Sequence, residues 1–169
     1  MNKLIISLII IFAALTRLIP HPPNFTPIIS MGLLGGAYIH NRTLAVILPI
    51  SAMFLSDLFL GLHGTIYWVY SSLIIITIIG MIMLKKISIR NYFMAVLSSS
   101  ILFFISTNFG VWFTSGYYPP NINGILTCYI AGLPFFGNTL VGTLFYSTLM
   151  FGGYELFKKT FVQLPQESI

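Results

Sequence analysis

The sequence predicts an all-α integral membrane protein, a single domain over residues 1–169 built as a bundle of six transmembrane helices with both termini in the cytoplasm. Two observations support this prediction. Hydrophobic residues make up 57% of the chain and charged residues only 7%, whereas a soluble domain has about 25% charged residues. With so few charges, most of the surface must face lipid. Apolar runs of near-spanning length also alternate with short basic segments.

Six apolar runs approach the length of about 20 residues that a helix needs to cross a bilayer. The predicted spans cover residues 4–19, 28–40, 43–62, 66–84, 92–113 and 134–157. The second is the shortest and is rich in glycine, so a protein-buried or re-entrant segment is an alternative. Its Gly32 and Gly36 form a small-xxx-small pair, which lets another helix approach closely. Packing within the chain is the expected use of this pair, and docking to a partner protein is the alternative.

The basic residues predict the orientation, because cytoplasmic loops hold the excess of lysine and arginine. Six spans with a cytoplasmic N-terminus place every Lys and Arg except Arg17 on the cytoplasmic side. Removal of the N-terminus as a signal peptide would leave five spans and break this pattern, and no small-x-small cleavage site follows Ala14. The basic residues are scattered despite the net charge of +5. The expected partner is therefore the lipid bilayer and not a nucleic acid.

Sequence signatures of an enzyme are missing. There is no HxxxH or CxxC pair, no nucleophile elbow and no phosphate-binding loop. Cys128 is the single cysteine, and a lone cysteine is more often a packing residue than a ligand. We expect no enzyme activity and no cofactor, with Cys128 as the only candidate metal ligand.

The outer half of the predicted bundle collects the unusual polar groups. Arg17 lies near the outer end of the first span, and Asp57, the only acid in the first 154 residues, lies near the outer end of the third. An ionisable group within a span should face protein or a water-filled cavity. Two interpretations remain open: an outward-facing substrate site that includes both residues, or a structural ion pair that joins the two spans.

Two outer segments are candidates for the walls of a pocket. In residues 20–27, PHPPNFTP, four of eight residues are proline, which stiffens the backbone; a rigid connector is the alternative. Residues 124–136 are apolar but too short to cross, and they are interpreted as a re-entrant lid or an interfacial helix. The predicted substrate-binding residues are Arg17, His21, Asn24, Phe25, Asp57, His63, Asn108, Trp112, Tyr118 and Asn138.

Five motifs resemble an uncharacterised family of small bacterial inner-membrane proteins: RLIPHPPNFTPI, GLLGGAY, LPISAMFLSDLFLG, TNFGVW and CYIAGLPFFGN. More distantly, the layout is similar to the substrate-binding S components of energy-coupling factor (ECF) vitamin transporters. Biotin-type S components have a comparable proline-rich outer loop that contains Phe-Thr. This resemblance implies six helices, an outward pocket closed by loops, and capture of a vitamin or similar micronutrient at the bacterial cytoplasmic membrane.

The resemblance also implies partners, a transmembrane coupling protein and its ATPase subunits, because this chain has no nucleotide site. Adjacent Ala13 and Ala14 stand where many S components have an Ala-x-x-x-Ala docking patch, so a solitary carrier is an alternative. A second class of function is a non-transporting scaffold for cell-envelope assembly. Capture requires Arg17, Asp57 and Asn108 to converge on one cavity, whereas a scaffold can bury them as isolated pairs.

Overall fold

The computed structural model describes residues 2–162, and the side chains of residues 4–160. This part of the chain is helical and contains no strand. The helices are Asn2–Leu15 (α1), Ile28–Tyr38 (α2), Arg42–Leu60 (α3), Ile66–Met83 (α4), Ile89–Thr114 (α5) and Ile122–Phe157 (α6). A 3-10 turn, Thr16–Leu18, follows α1, and a π-helical turn, Lys158–Val162, follows α6. The predicted all-α class is confirmed.

Helices α3, α4, α5 and α6 are each long and apolar enough to cross a membrane, by length and composition. They indicate a multi-pass membrane protein. The two apolar segments Leu4–Leu18 and Ile28–Tyr38 are shorter. Large apolar side chains project outward along all four long helices, as lipid-facing surfaces require.

Helix α2 is the centre of the bundle. All its residues from Ile28 to Gly36 are buried, and it packs against α1, α3, α4, α5 and α6. Eleven residues make a helix only about 16 Å long, roughly half of the hydrocarbon thickness. Such a short helix is tolerated at membrane depth where protein surrounds it. The protein-buried interpretation of the second segment therefore fits the structure.

Glycines allow α2 to approach α4 closely. A Cβ atom on Gly36 would overlap the carbonyl oxygen of Thr77, and one on Gly80 would lie 2.7 Å from the carbonyl oxygen of Leu33. A Cβ atom on Gly32 would lie 2.9 Å from the Leu73 side chain. The expected use of the Gly32–Gly36 pair, packing within the chain, is confirmed.

Helix α6 runs without interruption through Pro134. Its 36 residues are about 54 Å long, well beyond the hydrocarbon thickness of about 30 Å. The prediction that the last span begins at residue 134, after a separate lid or interfacial helix, is therefore wrong. The added turns pack on α5: the Tyr129 hydroxyl donates to the Ile105 carbonyl (2.7 Å). Neighbouring helices make proline tolerable within membrane helices.

The connections between helices fall alternately at the two ends of the bundle. Residues 19–27, 61–65 and 115–121 lie together at one end, here called the loop end. Residues 39–41 and 84–88 lie at the other, here called the basic end. Side-chain caps fix three helix starts, since Asn41, Ser88 and Asn121 each accept a hydrogen bond from a backbone N–H three residues on.

Candidate functional site

A cavity of about 560 Å³ lies at the loop end and is called the loop-end cavity. The 3-10 turn after α1 and helices α2 to α6 contribute to its wall, as do all three loops at this end. Its apolar lining includes Met53, Val69, Phe103 and Phe135. Its polar lining is Arg17, His21, Asn24, Thr26, His63, Thr65, Thr107, Asn108, Tyr118 and Cys128. This volume lies within the range of small-molecule sites, which are mostly apolar with a few convergent polar groups.

The structure brings six of the predicted site residues together on this cavity. They are Arg17, His21, Asn24, His63, Asn108 and Tyr118. They come from the turn after α1, the proline-rich loop, the α3–α4 loop, α5 and the α5–α6 loop. Cys128, the candidate metal ligand, lines the cavity as well. Arg17 and Asn108 thus share one cavity, but Asp57 is not part of its lining, so the convergence of all three residues expected of a capture site is met only for two of them.

Asp57 lies behind the cavity wall in a buried ion pair. Its Oδ1 is 2.8 Å from Arg17 Nη2, and the two side chains are only 1% and 8% exposed. Tyr70 donates a hydrogen bond to Asp57 Oδ2 (2.8 Å). Arg17 Nη1 also donates to the hydroxyl of Ser56. Both carboxylate oxygens of Asp57 are therefore in contact with protein groups. These contacts are those expected if Asp57 and Arg17 form a structural ion pair.

Arg17 keeps one polar group unused. Its Nε is buried and has no hydrogen-bond partner among the described residues. Most buried donors in proteins are paired, so Arg17 has an unsatisfied buried donor next to the cavity that it lines. Because Asp57 balances the guanidinium charge, Arg17 does not require the ligand of this cavity to be an anion.

The remaining three predicted residues hold the loops and do not line the cavity. Asn138 Nδ2 donates to the Pro23 carbonyl (3.0 Å), which ties the proline-rich loop to α6. The ring of Phe25, in the proline-rich loop, packs against Phe145 and Tyr146 of α6. Trp112 Nε1 donates to the Pro119 carbonyl (3.0 Å) across the α5–α6 loop. These contacts fix the cavity's rim from outside.

Several polar groups on the cavity wall can still bind a ligand. Asn108 uses its Nδ2 to donate to the Phe104 carbonyl (2.8 Å), and its Oδ1 faces Gly132, where any Cβ would collide with it. His63 Nδ1 contacts the Thr65 hydroxyl at 3.0 Å, which leaves its Nε2. The cavity thus combines imidazole, amide and hydroxyl groups with flat aromatic surfaces.

No metal centre is formed by the described residues, because no three His, Cys, Asp or Glu side chains come together there. Cys128 is buried, and its thiol donates to the Asn108 carbonyl at 3.4 Å. In the described part of the chain Cys128 therefore packs between α5 and α6 as a small side chain with one weak hydrogen bond.

Sequence reasoning missed the apolar wall and one partner of the ion pair. Met53, Val69 and Phe103 belong to apolar runs in which a lipid-facing residue and a cavity-facing residue look alike. Tyr70 lies near the start of an apolar run, where an interfacial belt of aromatic residues accounts for a tyrosine whose hydroxyl has no protein partner. The pair Thr107–Asn108, which is polar within an apolar span, was the one signal that marked the α5 wall.

Comparison with curated proteins and with solved structures found no match to this chain. One family model does match, over residues 1–166 and so over nearly all of the chain. The match covers the proline-rich loop, all six helices and the loop-end cavity. The chain therefore belongs to the family of unknown function DUF6580.

Proposed function

We propose that the protein captures a small nutrient, such as a vitamin, in the loop-end cavity and acts in the bacterial cytoplasmic membrane. The observation that supports this proposal is the convergence of Arg17, His21, His63, Asn108 and Tyr118 on one cavity of about 560 Å³. The 3-10 turn after α1, three separate loops and α5 supply these groups, so the site requires most of the fold. A scaffold for cell-envelope assembly would account for the buried Arg17–Asp57 pair but would not need this cavity.

The proposed arrangement has six crossings, the termini in the cytoplasm and the loop end outside. Alternation of the connections between the two ends supports six crossings, with α2 as a short, protein-enclosed segment. Arg42, Lys85, Lys86 and Arg90 lie at or beside the basic end, which favours the cytoplasm for that end. As in S components, a separate coupling protein with ATPase subunits would supply transport energy.

Cysteine labelling tests this orientation. In a Cys128→Ser background, we expect Tyr117→Cys to react with a membrane-impermeant maleimide on intact cells, because Tyr117 is 84% exposed at the loop end. We expect Lys86→Cys and Asn2→Cys to react only after the cells are permeabilised. Reaction of Lys86→Cys on intact cells would reverse the orientation, and reaction of Asn2→Cys alone would remove the first crossing.

Thermal unfolding with a panel of water-soluble vitamins tests capture. A ligand at 100 times its Kd stabilises the folded state by about 2.7 kcal/mol, so we expect one compound to raise the Tm of the detergent-solubilised protein. Asn108→Leu should weaken that compound's binding about tenfold, because one buried hydrogen bond is lost. Asn123→Leu makes the same change at the loop end, away from the cavity lining, and should retain the shift.

The outcome that contradicts capture of a vitamin is equally specific. If no member of the panel raises the Tm, or if Asn108→Leu and Asn123→Leu reduce the shift equally, the cavity is not the vitamin site. A stoichiometric cell-envelope protein that copurifies in that case would favour the scaffold.

A further inference from the structure

A groove of about 760 Å³ lies at the basic end, on the opposite side of the bundle from the loop-end cavity. It shares no lining residue with that cavity. The last turn of α2, the connection between α2 and α3, and the facing surfaces of α3 and α4 form it. The lining residues are Gly36, Ala37, Ile39, His40, Arg42, Val46, Ile78, Met81, Ile82 and Lys85.

The groove has a basic rim and an apolar floor. His40, Arg42 and Lys85 are exposed and lie where α3 begins and where α4 has just ended. The floor is formed by Val46 of α3, one turn after Arg42, and by Ile78 and Ile82 of α4, which precede Lys85. Ile78 and Ile82 are 42% and 64% exposed. Such a site suits a ligand with an anionic head and an apolar tail.

The cations of the rim have no carboxylate partner among the described residues. Two carboxylate side chains occur there, Asp57 and Glu155. Asp57 is paired with Arg17 at the loop end, and Glu155 accepts a hydrogen bond from Tyr38 (2.7 Å). Within residues 2–162, Arg42 and Lys85 therefore present positive charge that no carboxylate compensates, at the mouth of an apolar groove.

We propose that this groove binds an anionic phospholipid, with the phosphate held by Arg42 and Lys85 and an acyl chain along the floor formed by Val46, Ile78 and Ile82. Basic pockets between membrane helices are suited to anionic lipid headgroups, and arginine and phosphate form strong charge-assisted hydrogen bonds. A soluble phosphate would use the rim alone, whereas a lipid uses both parts of the groove. The site is independent of nutrient capture.

Lipid titration by native mass spectrometry tests the basic rim. The delipidated full-length protein is titrated with phosphatidylglycerol and with phosphatidylcholine of the same acyl chains. We expect Arg42→Gln/Lys85→Gln to bind phosphatidylglycerol roughly 30-fold more weakly than the wild type. Lys86→Gln/Arg90→Gln removes the same charge near the same end but outside the groove lining, and should bind it like the wild type. Equal losses in both variants would overturn the proposal in favour of a general surface-charge effect.

A second pair of variants tests the acyl-chain part. Val46→Trp fills the floor, whereas Ile47→Trp adds the same bulk at a neighbouring position that is 51% exposed and outside the groove lining. We expect only Val46→Trp to weaken phosphatidylglycerol binding, by at least tenfold, and we expect glycerol phosphate to compete poorly. Wild-type binding by a folded Val46→Trp, or displacement of the lipid by glycerol phosphate at equal concentration, would show a soluble-anion site and overturn the proposal.

Discussion

Asp57→Ala should lower the free energy of unfolding by about 3–5 kcal/mol, because it leaves the Arg17 guanidinium buried without a counter-charge. The Arg17 side chain is 8% exposed and its Nη2 lies 2.8 Å from the lost carboxylate. The Tyr70 hydroxyl would also lose its acceptor. Unfolding of the detergent-solubilised protein, followed by circular dichroism over a denaturant titration, measures the change.

Two further variants separate the ion pair from general damage. Arg17→Met/Asp57→Leu removes both charges, and we expect it to recover most of the stability, since apolar replacements of a buried pair are often neutral. Glu155→Ala removes the other described carboxylate, which is partly buried and accepts a hydrogen bond from Tyr38, and should cost about 1 kcal/mol. If the double variant is no more stable than Asp57→Ala, or Asp57→Ala costs no more than Glu155→Ala, the pair is not the structural link between the turn after α1 and helix α3.

Ala131→Trp should abolish ligand binding while the protein still folds. Ala131 lines the loop-end cavity, so an indole at this position occupies the space that a bound molecule needs. Ile130→Trp is the matched control, because Ile130 is the preceding residue of α6, is 66% exposed and is outside the cavity lining. To compare the two variants, small molecules are extracted from each purified protein and identified and quantified by chromatography. Equal amounts of the same compound from both would place the ligand outside the cavity.

Much of the fold could be predicted from hydropathy because α3, α4 and α5 coincide with predominantly apolar runs of spanning length. The extent of α6 could not be predicted, since Pro134 has no backbone donor and usually marks the end of a helix in water. In the structure, α6 packs against α5 on the N-terminal side of Pro134. This contact joins residues far apart in the sequence, so the sequence alone does not reveal it. The central position of α2 could not be predicted from the sequence either. Its glycines predict one closely packed helix, but not that five helices surround it.

The candidate site could be predicted only as far as the loop end. Charge and polarity placed Arg17, His63 and Asn108 at one end of the bundle, and the structure places all three on one cavity. The sequence could not predict which way each side chain points. Asp57 follows Ser56 directly in the sequence. Only its contact with Arg17 in three dimensions shows that its carboxylate is used in an ion pair and does not line the cavity. Asn138 and Trp112 look like ligand-binding residues until their loop carbonyl partners are known.

Native mass spectrometry of the protein extracted gently from its own membranes tests the capture proposal most directly. Wild-type protein, Ala131→Trp and Ile130→Trp are compared under conditions that preserve bound lipid. The proposal predicts one small-molecule adduct per chain on the wild type and on Ile130→Trp, and none on Ala131→Trp. An adduct retained equally by Ala131→Trp, or a wild-type protein that keeps lipid but carries no small molecule, would contradict it.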